Sequence, residues 1–414
     1  MIKMSARFLL TLLVIATFSV FNKSVNAQPA QLHQQLIFHG FENVYVSSSL
    51  CDDLVITFEN RIYRSQANAL ARVLSITGQS KANYRTVKLI VLENEQPVLA
   101  LITDHDKLQA FLNGEISYQS WAHSATLTLN ARQYHNQLDL CSSSEMDLDE
   151  STRYRPVFPV GLGMRYQLGN YDEPYRFAFD LEPEISLPLA RGLSANLRYA
   201  IPLYNNFDEN RHVRPALATL TQTLIPEDDI FIAISGGIFG RNRYGVHTAL
   251  KTFLYEEVFS ITFDVGRTGF TSLTGRPFFS TIEERTYNFY TLSADYRWRR
   301  YDLNTRVQFG RFLFADDGLK VEIHRHFGEV EFGVFGMNTR IDSNFGFFIS
   351  LPINPSRYRN AGPVRVRPTQ RFPVSYRYRG NDLSARSYET GIRLDHSLMQ
   401  IYPSYLIKEM EKYF

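Results

Sequence analysis

Glu322, His324 and His326 fall at alternate positions of the segment LKVEIHRHF. Side chains two apart on an extended strand share a face, so the three could converge on a metal ion or simply line a wet surface. Ser350, His247 and Asp264 are the residue types of a nucleophile, base and acid. No Gly-x-Ser-x-Gly elbow accompanies them. Asp180, Glu182 and Glu184 also alternate. A glycosidase needs two carboxylates on opposite sides of a sugar, and these three share one face. No P-loop, dinucleotide fingerprint or Cys-x-x-Cys occurs. The polar residues therefore read as the lining of an interior: Arg165, Asp180, Glu182, Glu184, Arg198, Lys251, Asp264, Asp295, Arg306, Glu322, His324 and Glu331. The expectation is a protein that is not an enzyme and uses no cofactor or metal.

The elements that must position these residues are strands. From Val160 to Pro352, apolar and polar residues alternate segment after segment. Leu303, Val307 and Phe309 oppose Asn304, Arg306 and Gln308. Leu319, Val321 and Ile323 oppose Lys320, Glu322 and His324. Phe345, Phe347, Ile349 and Leu351 oppose Gly346, Phe348 and Ser350. The period predicts about 12 antiparallel strands, each long enough to cross a bilayer with tilt. Two architectures make such strands. A soluble sandwich turns the charge to water, whereas a membrane barrel turns the apolar side to lipid and the charge inward.

The rest of the chain favours the barrel. Connections alternate between short ones (ARG, PEDD, EE, RRYD, GE) and longer ones such as GNYDEP and NNFDENRH. Outer-membrane barrels sort their loops this way by side. Aromatics make up 14% of the 414 residues, with 31 Phe and 24 Tyr. Net charge is only +2, so no basic field argues for nucleic acid. Lys3 and Arg7 precede the apolar run Phe8–Val20, and Val25-Asn26-Ala27 offers a cleavage site, the pattern of a secretory signal peptide over residues 1–27.

Residues 28–142 read as a small α+β domain of order ββαββαβ, with Ser65 and Asp104 or Asp106 as helix caps. Cys51 and Cys141 sit near its two ends, and an exported pair is expected to form a disulfide. Residues 143–156 read as a polar linker and 157–353 as the barrel. Residues 354–414 break the alternation. Arg357, Arg359, Arg365, Arg367, Arg371, Arg377 and Arg379 crowd a Pro-rich run without acid. This run is expected as a plug in the pore, paired with interior acids, or as an exposed tail, followed by an amphipathic C-terminal helix. The fold class expected is thus mainly β, a single antiparallel transmembrane β-barrel preceded by a small α+β periplasmic domain.

Gly310, Arg311, Phe312, Leu313, Asp317, Gly318, Phe327, Gly333, Phe335, Phe345, Ser350, Leu351 and Pro352 give a Gly-Arg-aromatic-Leu strand, an Asp-Gly turn and a strand ending Ser-Leu-Pro. With Pro202 to Asn206, Phe239 to Gly245, and Tyr63-Arg64 followed by Ala69 to Leu74, the chain resembles the YjbH/GfcD family of exopolysaccharide-associated outer-membrane proteins. The resemblance implies a noncatalytic part in making or exporting exopolysaccharide or capsule. Its partners would be outer-membrane lipid, polysaccharide, and periplasmic or lipoprotein components of an export system. The location implied is the outer membrane of a Gram-negative cell, with the N-terminal domain in the periplasm. A porin-like channel is the alternative from another class, and a barrel-embedded lipid- or glycan-modifying enzyme a third.

Overall fold

The computed structural model describes residues 29–48, 53–79, 84–139, 151–169, 174–206, 211–240, 242–272, 281–359, 365–378, 384–386, 394 and 401–414. The expected signal peptide, both cysteines, most of the expected linker and Arg379 lie outside the described residues. The chain is mainly β, with a 14-stranded sheet beside a 5-stranded one. No helix among the described residues is long and apolar enough to cross a membrane.

The small domain follows the expected order. Strands β1 (Glu42–Ser48), β2 (Asp53–Glu59), β3 (Thr86–Glu93), β4 (Gln96–Asp104) and β5 (Thr126–Thr128) lie side by side in chain order. Only β2 and β3 pair parallel, because helix Gln66–Gly78 carries the chain back between them. That helix buries Ala67, Leu70, Val73 and Leu74 against Leu54, Ile56, Phe58, Leu89, Leu99 and Leu101 of the sheet. Asp104 is the cap of the next helix, His105–Leu112: its carboxylate accepts from the N–H groups of Asp106 and Lys107. Trp121 of helix Tyr118–Ser124 is fully buried and donates to Thr103 Oγ1 at 2.9 Å. That helix, with those at 29–38 and Ala131–Asp139, completes the domain beyond the predicted pattern.

The large sheet contains twelve antiparallel strands in chain order: β6 (Val157–Leu168), β7 (Tyr175–Ala190), β8 (Leu193–Asn205), β9 (Arg214–Glu227), β10 (Ile230–Phe239), β11 (Arg243–Leu254), β12 (Phe259–Ser272), β13 (Thr281–Trp298), β14 (Leu303–Phe312), β15 (Asp316–Phe327), β16 (Val330–Thr339) and β17 (Ser343–Pro352). At one end the strands are joined by turns of two to four residues, such as Arg191-Gly192, Asp228-Asp229 and Gly328-Glu329. Gly192 and Gly328 have φ of 70° and 63°, a region open to glycine at little cost. This is the turn end. At the loop end, the expected Asp-Gly turn is not where the chain reverses: the 3-10 turn Leu313–Ala315 lies there, and Asp316 to Gly318 already pair with β14.

The arginine-rich segment corrects the sequence reading. It is neither plug nor loose tail over residues 365–377. Its first part, β18 (Arg365–Pro368), pairs parallel with β6, and its second, β19 (Arg371–Arg377), pairs antiparallel with β17. One segment thus occupies both ends of the sheet. Arginine and proline count against a strand only if they meet lipid or a ladder partner. Here Arg365, Arg367, Arg371 and Arg377 fall on one face, with Val366 and Tyr378 exposed on the other. Gln370 O accepts from Ile353 N and Tyr378 N donates to Phe345 O, so even-numbered residues serve β17. Pro373, an odd position, leaves that ladder intact.

The C-terminal helix, Pro403–Met410, does not lie along the sheet. Tyr405, Leu406 and Met410 join the small domain's core, and Phe414 packs on Phe111 and Trp121 with ring centroids 4.9 and 6.1 Å apart. The terminal aromatics therefore serve docking within the chain.

Candidate functional site at the junction of the two sheets

The large sheet has its polarity reversed. Leu162 and Phe309 are 53% and 52% exposed, whereas Lys251, Glu331 and Asp180 are 0%, 1% and 4% exposed. Phe263, Val307 and Phe347 also lie exposed on the apolar face, while Leu197 is half-buried. Buried charge must be paired, and the following charges on the buried face are. Asp180 takes Arg214 at 2.9 Å and Arg165 at 3.7 Å. Arg198 holds Glu184 at 2.6 Å and Glu182 at 3.6 Å. Asp295 sits between Arg306 at 2.6 Å and Lys251 at 3.2 Å. Lys320 meets Glu322 at 2.5 Å, and His247 meets Asp264 at 3.1 Å. The residues read as an interior lining lie on this face, in pairs that join neighbouring strands, strands two apart (Asp180–Arg214 and Lys251–Asp295) or, for Lys320–Glu322, two positions of β15.

The chemistry weighed from the sequence does not assemble. His247 and Asp264 lie on β11 and β12, whereas Ser350 is on β17 in register with Glu331. His324 Nδ1 lies 3.2 Å from Glu331 Oε1, and its ring centroid is 6.0 Å from that of His326. Among the described residues no cluster of three or more His, Cys, Asp or Glu could hold a metal ion.

Instead, a cavity of about 720 Å³ lies where the small domain covers the turn end. The small domain contributes Glu59, Arg61, Arg64 and Glu93; the wall contributes Arg198, Glu331, Arg367 and Arg371; the C-terminal residues contribute Tyr405. Glu59 is fixed by five donors: Asn43 Nδ2 at 2.5 Å, the N–H groups of Asn94 and Glu95 at 3.0 and 3.3 Å, Thr152 Oγ1 at 3.4 Å, and Arg61 at 2.5 Å. Arg371 reaches Glu331 at 3.3 Å, as the sequence suggested. Arg365 reaches Glu42 of the small domain, which it did not. Glu93 lines the cavity and is exposed; the protein packed around it pushes its carboxyl pKa up and Glu59 adds to this, against the opposing charge of Arg61.

The small domain is locked to the wall around this cavity. Arg64 donates to both oxygens of Glu329, in the β15–β16 turn, at 2.7 and 3.1 Å, and to Ile353 O at 2.6 Å. Tyr413 Oη donates to the same carboxylate at 3.1 Å. Burial alone would raise the Glu329 pKa, but the Arg64 hydrogen bond and charge outweigh it and hold it below the ordinary value. Gln96, Arg132 and Lys408 grip further turn-end residues: Thr223, Asp228 and Asp302 respectively. Thr152 and Arg153, at the end of the expected linker, are pinned to Asn43 and Glu95. Arg64 and Glu329 stand 265 residues apart, so no local pattern announces the pair. Tyr63-Arg64 surfaced only within the family resemblance.

At the loop end, Asp316 accepts from Ile341 N and Ala385 N, both at 2.8 Å. Ala385 packs with Phe312, Phe335 and Met337. Leu394 lies in the core shared with Tyr405 at the turn end. The chain beyond β19 therefore has anchors at both ends of the buried face.

The chain is thus mainly β, with a large sheet that buries charge and exposes apolar side chains and a small α+β domain locked over one end. The family described as exopolysaccharide biosynthesis protein YbjH matches residues 19–371, and the chain belongs to this YjbH family. The family description indicates a role in exopolysaccharide biosynthesis. No curated protein matches the chain.

Proposed function

We propose that the large sheet closes as a β-barrel across the outer membrane of a Gram-negative cell, and that the protein takes a noncatalytic part in producing or exporting exopolysaccharide. The observation that carries this reading is the reversed polarity of the sheet. A face bearing Leu162, Phe263, Phe309 and Phe347 in the open, over a face of buried ion pairs, suits hydrocarbon outside. Closure is supplied by the segment Arg365–Arg377, whose two halves already pair with the first and last antiparallel strands. Counted as one stave, it makes the 14-stranded sheet a ring of thirteen. A ring with an odd number of strands must contain one parallel pair, and β18 with β6 is that pair.

In this reading the turn end and the small domain face the periplasm, where export components would meet them, and lipid surrounds the wall. The porin-like alternative fits less well. Ion pairs fill the buried face, the small domain covers one end, and Ser384 to Arg386 are held at the other. Both readings are separated by one set of measurements: membrane fractionation, secreted polymer in a deletion strain, and conductance of the full chain in a planar bilayer. The expected result is an outer-membrane protein whose loss lowers extracellular polymer and whose conductance stays far below that of a porin. A protein found only in the soluble periplasm, or a deletion with normal polymer, overturns the proposal. Porin-sized conductance would favour the channel.

A further inference from the structure

We propose that the wall has a lateral port between β6 and β19, where an amphiphile with a sugar head and a hydrocarbon tail reaches the interior; this rests on the membrane-barrel reading above. The port follows from the register. β18 pairs with β6 over Val157 to Val160 only, and Thr369 N gives the last bond, to Val160 O at 3.1 Å. β6 runs on to Leu168, and β19 runs beside it. Carrying forward the register in which Pro368 faces Val160 sets Ser375 opposite Gln167, and Tyr166 Oη donates to Ser375 O at 3.0 Å. Yet β19 has a ladder with β17 alone, and the large sheet ends there. Every other neighbouring pair of described strands in this sheet shares a ladder.

The sequence explains the missing one. Even-numbered residues of β19 bond β17, so Arg371, Pro373 and Ser375 turn their backbone groups toward β6. Pro373 has no N–H to give, and it stands in the interior of β19. The proline that spares the β17 ladder thus denies one to β6. On β6, Val160 O points into the seam, so Leu162, Met164, Tyr166 and Leu168 present their N–H and C=O groups there. Hydrocarbon satisfies neither edge; water or a polar guest does. The inner side has room for both. Pro373 and Ser375 are exposed although they lie on the inward face, and the Arg165 side chain keeps 35% of its surface open. The outer side is apolar, with Leu162, Met164, Val374 and Tyr376. A polar interior therefore meets an apolar exterior with no ladder between them. That profile suits a molecule whose sugar enters the slit while its tail stays in lipid. Tyr166, reaching across to Ser375, is the latch.

The test uses the full-length protein in lipid nanodiscs. Hydrogen exchange reads the seam without any substitution. The amides of Leu162, Met164, Tyr166 and Leu168 are expected to exchange at least tenfold faster than those of Gly163 and Arg165 between them. Tyr166→Phe removes only the latch bond and should speed them by about two- to tenfold while leaving β10 unchanged, an outcome that general unfolding would not give. A photo-crosslinking amino acid is then placed at Met164, on the outer lip, or at Gln167, on the inner one, and challenged with fluorescently labelled dodecyl maltoside. The glycoside is expected at both positions, and labelled maltose at least tenfold less. Equal protection along all of β6, or capture at 164 with none at 167, would overturn the inference. In cells, a protein of one mass captured at both positions would assign the edge to a partner strand and overturn it as well. Failure at the seam with lipid captured at position 263 would remove the port and leave the barrel; no lipid at 263 would remove the barrel itself.

Discussion

The two sheets of this protein read the same alphabet in opposite directions. In the small domain, Leu54, Ile56, Leu89 and Leu101 are fully buried. In the large sheet, Leu162, Leu319 and Phe332 are exposed, while Lys251, Thr221 and Glu331 are buried. Both obey a period of two. What differs is the solvent each sheet is built for: the first hides apolar area from water, gaining about 25 cal/mol per Å²; the second would hide its charges from hydrocarbon and satisfy them against one another. Alternation therefore locates strands, but the burial and pairing of charge distinguish the two sheets.

The contrast can be broken by mutation. The largest effect is expected at Lys251, whose ammonium is fully buried between Asp295 and the face of Phe253. Lys251→Ala removes one partner of a buried pair and should cost about 3–5 kcal/mol, measured by urea unfolding in detergent or liposomes. The matching change in the small domain is apolar: Leu89→Ala should cost about 2–5 kcal/mol by opening a cavity, read as lowered stability of the small domain. Equal tolerance of both changes would mean that the two interiors are not opposites.

Next in size is the exposed face itself. Phe263→Arg should impair insertion by about 2–4 kcal/mol near a bilayer midplane. Asp264→Asn, one residue on and facing His247, should cost no more than about 1 kcal/mol. If a folding assay into liposomes ranked them the other way, the facing would be wrong. The smallest effect is expected in how the small domain sits on the wall. Glu329 has a lowered pKa when docked on Arg64, so its contribution is complete above about pH 5 and is lost as pH falls through the lowered value. Limited proteolysis of the small domain should accelerate on acidification, and Arg64→Gln should remove that pH dependence.

Much of this was legible from residues alone. The small domain's strand order, the twelve antiparallel strands and the charged face all follow from local periodicity, because each is a property of neighbours in the chain. The two arginine-rich strands were missed although RVRPTQRFPVSYRYR alternates as well. Their arginines and prolines outweighed the period, and only the register shows that the arginines turn to the buried face and that Pro373 interrupts no bond to β17. The junction cavity was half visible. Arg198, Glu331, Arg367 and Arg371 stood among the interior and tail residues, but nothing local joins them to Arg61, Arg64 or Glu93, which arrive by the docking of a separate domain.

The central claim is that the apolar face of the large sheet meets lipid. A photo-crosslinking amino acid placed at position 263, 309 or 332 in living cells, and at 308 or 331 as inward controls, tests it directly. The account predicts adducts with lipid or lipopolysaccharide at the first three positions and none at the controls. Crosslinks at 263, 309 and 332 only to soluble proteins, or the same lipid yield at all five positions, would contradict it.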